Sequence, residues 1–220
     1  MSLDKYIQAL AKGQNLTVEE SYLAATALLG DVEPVLAGSF LSLLHAKGET
    51  ADELLGFHRA LTGSSRKIQI DKPFIDIVGT GGDKAGTLNI STGGSLLVAA
   101  CGVPVIKHGN RAVSSSCGSA DVLAELGFNL NLSDEDVHHA IDNNQFAFLF
   151  APNFYPVLRK LNEVRRKLAT PTIFNLMGPL LNPAGRHHII LGVYQAKYVP
   201  VIAEALFKLG TTRSLVFHGN

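Results

Sequence analysis

Tryptophan is absent from this sequence, and cysteine and methionine occur only twice each. Two cysteines, Cys101 and Cys117, cannot build the disulfide framework of a small secreted domain, and they lack zinc-ligand spacing. Both lie in segments expected to be buried, which suits a reducing cytoplasm. An excess of charge is missing too: 19 Lys+Arg against 19 Asp+Glu leave a formal net charge of zero. A general nucleic-acid or membrane-surface binder needs a field of excess positive charge, so both classes lose support. No apolar run approaches the length of about 18 residues read as a membrane span. The start, Met1-Ser2-Leu3-Asp4-Lys5-Tyr6, lacks the charged and apolar regions of a signal peptide. Repeats and low-complexity tracts are also absent. What is present, 46% hydrophobic and 17% charged residues in a chain of 220, describes an ordinary globular protein. It has room for one large domain or two small ones.

Residues 1–65 read as helices only. Thr17 and Glu20 have capping-box spacing ahead of Tyr22, Leu23, Ala25, Leu28 and Leu29, a run that ends at Gly30. Pro34 suits the first turn of a helix through Leu44 that stops at Gly48. Thr50 and Glu53 form a second box, before Leu54, Leu55, Phe57 and Leu61. Gly63-Ser64-Ser65 then reads as a hinge. From residue 66 the pattern changes to strands over 74–78, 103–106, 146–150, 188–193 and 214–217. Helices are expected over 91–101, 119–126, from Ser133 through Asn143, 155–168 and 199–209. Strands alternating with helices of about a dozen residues imply a mainly parallel sheet covered on both faces. The fold class is α/β, with a small all-α domain (1–65) before a larger α/β domain (66–220). His218-Gly219-Asn220 directly follows an apolar strand, where ligands of such sheets lie. The sheet is therefore expected to be incomplete here.

The first chemical signal is Val78-Gly79-Thr80-Gly81-Gly82-Asp83, followed by Thr87 and Asn89-Ile90-Ser91-Thr92. Glycines let backbone N–H groups approach an anion and supply positive φ where a nest needs it. Ser91 and Thr92 fall where the next helix begins, so its free N–H groups face the same anion. The dinucleotide fingerprint does not fit, because Lys84 stands at its last glycine, and no Gly-Lys-Ser/Thr follows to make a Walker loop. A second segment runs Lys107-His108-Gly109-Asn110-Arg111-Ala112-Val113-Ser114-Ser115-Ser116-Cys117-Gly118-Ser119. Read as a loop at the end of a strand, its two cations and hydroxyls suit a phosphate or diphosphate. Other features are weaker. Arg165 and Arg166 are helical neighbours pointing different ways, so at most one meets a ligand. Asn175, Gly178-Pro179 and Asn182-Pro183 read as a kinked connector. His138-His139 and His187-His188 lack metal-ligand spacing.

Taken together, these segments resemble the anthranilate phosphoribosyltransferase family. The resemblance rests on Gly79-Thr80-Gly81-Gly82-Asp83, Asn89-Ile90-Ser91-Thr92, Lys107-His108-Gly109-Asn110-Arg111 and Cys117-Gly118-Ser119-Ala120-Asp121. Phe174-Asn175, Gly178-Pro179-Leu180, Asn182-Pro183 and the Lys47-Gly48-Glu49-Thr50 stretch extend it along nearly the whole chain. The resemblance implies the nucleoside phosphorylase/phosphoribosyltransferase-like fold, a cleft at the hinge between domains and a homodimer paired through the helical domain. It implies a cytoplasmic enzyme of tryptophan biosynthesis, neither nucleic-acid- nor membrane-bound. The implied reaction joins the amine of anthranilate to phosphoribosyl pyrophosphate, releasing pyrophosphate, with Mg2+ required. Gly79, Gly82, Asp83, Thr87, Asn89, Ile90, Ser91 and Thr92 would bind the phosphorylated sugar, with Ser91 also touching the metal. Lys107, His108, Gly109, Asn110, Arg111, Ala112, Val113, Ser114, Ser115 and Ser119 would complete the pocket. Asn110 and Arg165 would hold anthranilate.

No covalent or acid–base residue is expected, because alignment and stabilisation of the departing diphosphate suffice for the displacement. The sequence also departs from the family. Tyr155 stands where histidine is usual, and Ala169-Thr170-Pro171 replaces a glycine, an aliphatic and a basic residue. The family's Asp-Glu pair for a second magnesium lies beyond a segment like His218-Gly219, so residues 1–220 alone are expected to be inactive. Competing readings are a non-enzymatic anion- or nucleic-acid-binding relative, a nucleoside phosphorylase, and a structural dimerising domain. The phosphorylase pattern Lys-x-Ser-x-Gly-Gly is absent.

Overall fold

The computed structural model describes residues 2–63, 65–82, 88–112, 117–168, 170–185 and 188–219. The front is a bundle of α1 (Asp4–Ala11), α2 (Val18–Leu29), α3 (Pro34–Lys47) and α4 (Ala51–Gly63). Thr17 and Glu20 exchange both capping-box bonds at the start of α2. Pro34 occupies the first turn of α3, and Gly48 (φ 92°) ends it in a conformation that disfavours side-chain-bearing residues. Glu53 does more than box with Thr50. Its buried carboxylate also accepts from the Leu16 amide (3.0 Å) and the Lys47 ammonium (3.0 Å), tying three segments together. Gly56 lets α4 cross α2 at close range, since a Cβ there would stand 2.4 Å from Ser21 Cβ.

Five strands follow: β1 (Ile75–Gly79), β2 (Val105–Gly109), β3 (Phe146–Phe150), β4 (His188–Gly192) and β5 (Arg213–Phe217). They form one sheet in the order β3-β2-β1-β4-β5, and every pairing is parallel. The connections carry α5 (Ile90–Ala100), α6 (Ser119–Glu125), α7 (Asp134–Asn144), α8 (Ala151–Phe154), α9 (Asn162–Leu168), α10 (Ile173–Met177) and α11 (Tyr198–Lys208). Because β2 and β3 extend to one side of β1 and β4 to the other, the connections diverge at β1 and β4. Ligands of such sheets bind in the crevice beyond the strand ends at that point. The sheet joins the bundle through α10 and α11: Phe57 meets Phe174 edge-on, and the Tyr198 hydroxyl donates to Glu49 (3.0 Å).

Three expectations require correction. The helix expected over 155–168 is instead a 3-10 turn (Pro156–Leu161) followed by α9, with the short α8 ending just before it. Pro156 pushes Tyr155 out of the helical region, to φ −125° and ψ 59°. The strand expected over 103–106 instead spans Val105–Gly109, because Gly102 (φ 84°) and Pro104 occupy the turn before it. Lys107, His108 and Gly109 therefore belong to a strand and not to a loop. Finally, both cysteines are exposed rather than buried: Cys101 ends α5 and Cys117 precedes α6.

Candidate functional site

The glycine-rich turn begins at Gly79, the last residue of β1. Thr80 donates its amide to the Gly192 carbonyl (3.0 Å) and accepts the Tyr194 amide on its hydroxyl (3.1 Å). The turn is thus fastened to the end of β4, at the switch point. Gly81 (φ 63°) and Gly82 (φ 81°) take positive φ, and a Cβ at either would meet nothing within 4 Å. Among the described residues it is backbone conformation, not crowding, that demands glycine here. Asp83 and Thr87 lie outside the described residues.

α5 starts beside this turn. Asn89 holds its N-cap position without a side-chain capping bond, while the Ile90 and Thr92 amides donate to the Leu88 (2.7 Å) and Asn89 (3.0 Å) carbonyls, and the positive end of the helix faces the turn. Ile90 is exposed, Ser91 half-buried and Thr92 buried. The Thr92 hydroxyl has no hydrogen-bond partner among the described residues. Beneath this end sits Lys107, only 1% exposed. Its Nζ donates to the Ile77 carbonyl (2.6 Å) and lies 3.5 Å from the Ser91 hydroxyl. Burial drives the Lys107 pKa down, while the Asp76 carboxylate opposes that shift. Asp76 is itself buried and pushed up to about 6, with Lys107 and the Asn182 amide (2.9 Å) acting against the burial cost.

Alternation along β2 sends His108 to the opposite face from Lys107. There its Nδ1 lies 3.3 Å from the Gly178 carbonyl and its ring meets Tyr155 edge-on at 5.8 Å. Burial lowers the His108 pKa to about 4, so the ring is neutral near pH 7. Tyr155 is buried, with its hydroxyl bonded to the Leu181 carbonyl (2.7 Å).

Beyond β2, Gly109 is forced by crowding, since a Cβ there would lie 2.4 Å from Ser119 Oγ. Asn110 accepts from the Ala120 amide (3.2 Å) and the Ser119 hydroxyl (3.4 Å) through its carbonyl. Arg111 is paired with Asp121 (2.8 Å). Asp121 also accepts the amides of Ala112 (3.0 Å) and Gly118 (2.9 Å), closing the segment between them. These two amides are the main reason its carboxyl is held below the ordinary range. Gly118 is essential to the closure: a Cβ would stand 2.4 Å from the Ala112 nitrogen. Val113, Ser114 and Ser115 lie outside the described residues.

The structure thus gathers Gly79, Gly82, Asn89, Ser91, Thr92 and Lys107 around one strand-to-helix turn, with Asn110, Arg111, Ala112 and Ser119 at the end of the neighbouring strand. Arg165 stands elsewhere, on α9, its guanidinium 5.3 Å from the centre of the Phe174 ring. Asp121 and Thr80 were missed as contributors to the site. The Gly118-x-x-Asp121 spacing was the available signal for the first, and nothing local marked the second.

The family description "Glycosyl transferase family, a/b domain" matches residues 71–220, and "Glycosyl transferase family, helical bundle domain" matches residues 4–65. The chain belongs to the glycosyl transferase family. Among relatives of this family, the anthranilate phosphoribosyltransferase of Anaeromyxobacter dehalogenans is 44% identical over 219 residues, covering 99% of this chain and 65% of the relative. That of Vibrio vulnificus is 44% identical over 220 residues, covering 99% of this chain and 66% of the relative. The crystal structure of the Thermus thermophilus enzyme superposes with a TM-score of 0.89 at 44% identity, over 97% of this chain and 65% of that one. The Saccharomyces cerevisiae enzyme in complex with PRPP and Mg gives 0.87 at 27% identity, over 97% and 64%. The chain therefore spans just under two thirds of the length of these relatives. No helix among the described residues is long and apolar enough to cross a membrane.

Proposed function

We propose that this chain carries the phosphoribosyl-binding part of a cytoplasmic anthranilate phosphoribosyltransferase of tryptophan biosynthesis. The reaction joins the amine of anthranilate to the anomeric carbon of phosphoribosyl pyrophosphate and expels pyrophosphate. The observation that carries this reading is the buried Lys107 ammonium lying behind the start of α5, beside the Gly81-Gly82 turn. Its likeness to relatives of that name supports it.

In this reading Gly79 and Gly82 shape the turn, the Asn89 and Ser91 amides and the Ser91 and Thr92 hydroxyls face the phosphates, and the Ile90 and Thr92 amides stay bonded to the Leu88 (2.7 Å) and Asn89 (3.0 Å) carbonyls. Lys107 adds positive charge from behind without touching the ligand. Asn110 and Ser119 border the sugar, and the Asp121 clamp holds their segment in place. As the anomeric bond breaks, negative charge grows on the departing diphosphate, where the helix end and the ammonium already point. Such preorganised charge lowers the barrier without a protein nucleophile. His108, neutral and turned to the other face, supports the connector instead. Arg165, at the bundle side, is assigned to the anthranilate carboxylate.

Magnesium fits this donor set. Among the described residues no three His, Cys, Asp or Glu side chains converge on a metal position. Mg2+ usually keeps several waters and binds through one or two carboxylates plus substrate phosphates, so the Ser91 hydroxyl would be one oxygen ligand beside those phosphates. When bound, it supplies charge neutralisation to the diphosphate. We assign pairing of two copies to the helical bundle.

The test is titration calorimetry of the chain with phosphoribosyl pyrophosphate and Mg2+. Saturable binding, competed by pyrophosphate and not by a nucleoside, is expected. The anthranilate step is then read by fluorescence in a chimera of residues 1–220 with the unmatched third of the Thermus thermophilus relative. Absence of binding, or binding without anthranilate consumption in a folded chimera, refutes the reading.

A further inference from the structure

Glu49 places a carboxylate where the helical bundle meets the sheet. It lies between α3 and α4, directly after Gly48, and is only 4% exposed. A buried carboxylate is costly unless its partners compensate. One of its oxygens lies 3.0 Å from His45 Nδ1 on α3, and the other accepts the Tyr198 hydroxyl (3.0 Å) from across the junction. Tyr198 is buried and opens α11. Its ring lies 5.1 Å from that of Tyr194, and the two side chains share a hydrogen bond. Burial, with Tyr194 and the Glu49 carboxylate, pushes the Tyr198 hydroxyl well above its ordinary value, so it remains a donor near pH 7.

The backbone of the same loop reaches the glycine-rich turn. The Tyr194 amide donates to the Thr80 hydroxyl (3.1 Å), and that hydroxyl donates to the Gly81 carbonyl (3.3 Å). Gly81 is one of the two positive-φ residues of the turn. A continuous path of short contacts therefore runs from α3 through Glu49, Tyr198, Tyr194 and Thr80 to Gly81. We infer that Glu49 and Tyr198 are positioning residues, which hold the 193–198 loop from the helical bundle and so fix the Gly81-Gly82 turn in its anion-binding shape. Both act through Thr80 and not on a ligand. A second tie between α4 and α11, Lys208 with Asp52 (2.8 Å), lies on the exposed flank and bypasses this path. The inference rests on the phosphate-binding reading of the turn.

Hydrogen exchange reads the turn directly and needs no ligand. In Tyr198→Phe, which loses only the hydroxyl, and in Glu49→Leu, the Tyr194 and Thr80 amides should exchange about tenfold faster, as expected for one lost hydrogen bond to a charged group. Amides of β2 and β3 should keep their rates. Titration calorimetry with phosphoribosyl pyrophosphate and Mg2+ should show binding about tenfold weaker in both variants. Glu49→Gln keeps an acceptor for Tyr198 and should match the original chain in both measurements. Asp52→Asn, which cuts the other tie, should also match it. Unchanged exchange at Tyr194 and Thr80 in folded Tyr198→Phe, or faster exchange with undiminished binding, overturns the proposal. An equal effect from Asp52→Asn overturns it as well, because general docking of α4 on α11 then explains the loss. If the original chain binds no phosphoribosyl pyrophosphate, the functional reading fails, while the exchange rates still decide whether Glu49 and Tyr198 hold the turn.

Discussion

Replacing Lys107 with methionine isolates the electrostatic part of the cradle. The ammonium is 1% exposed and reaches no further than the Ile77 carbonyl and, at 3.5 Å, the Ser91 hydroxyl. A phosphate oxygen bonded to that hydroxyl at about 2.7 Å would stand about 6 Å from Nζ. At an effective dielectric of about 20, one unit charge at that distance contributes about 3 kcal/mol. Titration calorimetry should therefore find phosphoribosyl pyrophosphate binding about 100-fold weaker in Lys107→Met, since about 1.4 kcal/mol is a factor of ten. Methionine fills a similar apolar volume, and the Asp76 carboxyl can take up a proton instead of standing as an uncompensated buried charge, so the fold should survive, as judged by circular dichroism. The Asp76 carboxyl, relieved of its cation, should titrate above its present value of about 6. Affinity within threefold of the original in a folded variant would refute the reasoning and reduce Lys107 to a tie between strands.

Two further changes probe the same neighbourhood. His108→Phe tests the buried ring: its folded pKa of about 4 lies below the unfolded 6.5, so only the unfolded chain takes up a proton between those values. Stability from this group is present above about 6.5 and is lost as pH falls to about 4. Asp76, raised from 3.8 to about 6, acts in the opposite sense, its contribution growing as pH falls through that range. At about 1.4 kcal/mol per pH unit, His108→Phe should gain about 3 kcal/mol relative to the original chain between pH 6.5 and 4 in urea titrations. Parallel curves would show that the ring is protonated in the folded state. Gly118→Ala forces a methyl to within 2.4 Å of the Ala112 nitrogen, a backbone atom that cannot swing aside. Binding should weaken at least tenfold with helix content unchanged, and unaltered binding would remove the segment from the pocket.

Much of this is legible in the sequence. The β3 strand has the bounds its apolar run implies, and the Thr17 cap follows from its spacing to Glu20. The boundary of β2 was not. A lysine and a histidine after a short apolar run look like the start of a loop, yet the ladder with β3 continues to Gly109. Once pairing is known, alternation assigns Lys107 to the cradle and His108 to the bundle side. Adjacent letters in the sequence carry no such distinction. Cysteine burial failed for a related reason: Cys101 ends a helix apolar enough to be a core element, but its outer side is uncovered.

Lys107 and Asp76 bear on why the proposed site lies on β1 and β2. A lysine in the middle of a parallel sheet has a large desolvation cost, and hydrophobic side chains of similar volume are often as stable or more so. Here the ammonium is held by one carbonyl, one hydroxyl and the field of a carboxylate whose own burial raises it to about 6. That carboxylate in turn leans on Asn182, which also bonds the Ile106 carbonyl and the Ala184 amide. Asn182 thus links the connector after α10 to both central strands. An anion at the start of α5 adds the partner this arrangement best accommodates: it favours the charged form of Lys107, against the burial that disfavours it. On the proposed function, binding and the protonation state of Lys107 are coupled, the anion favouring the charged lysine.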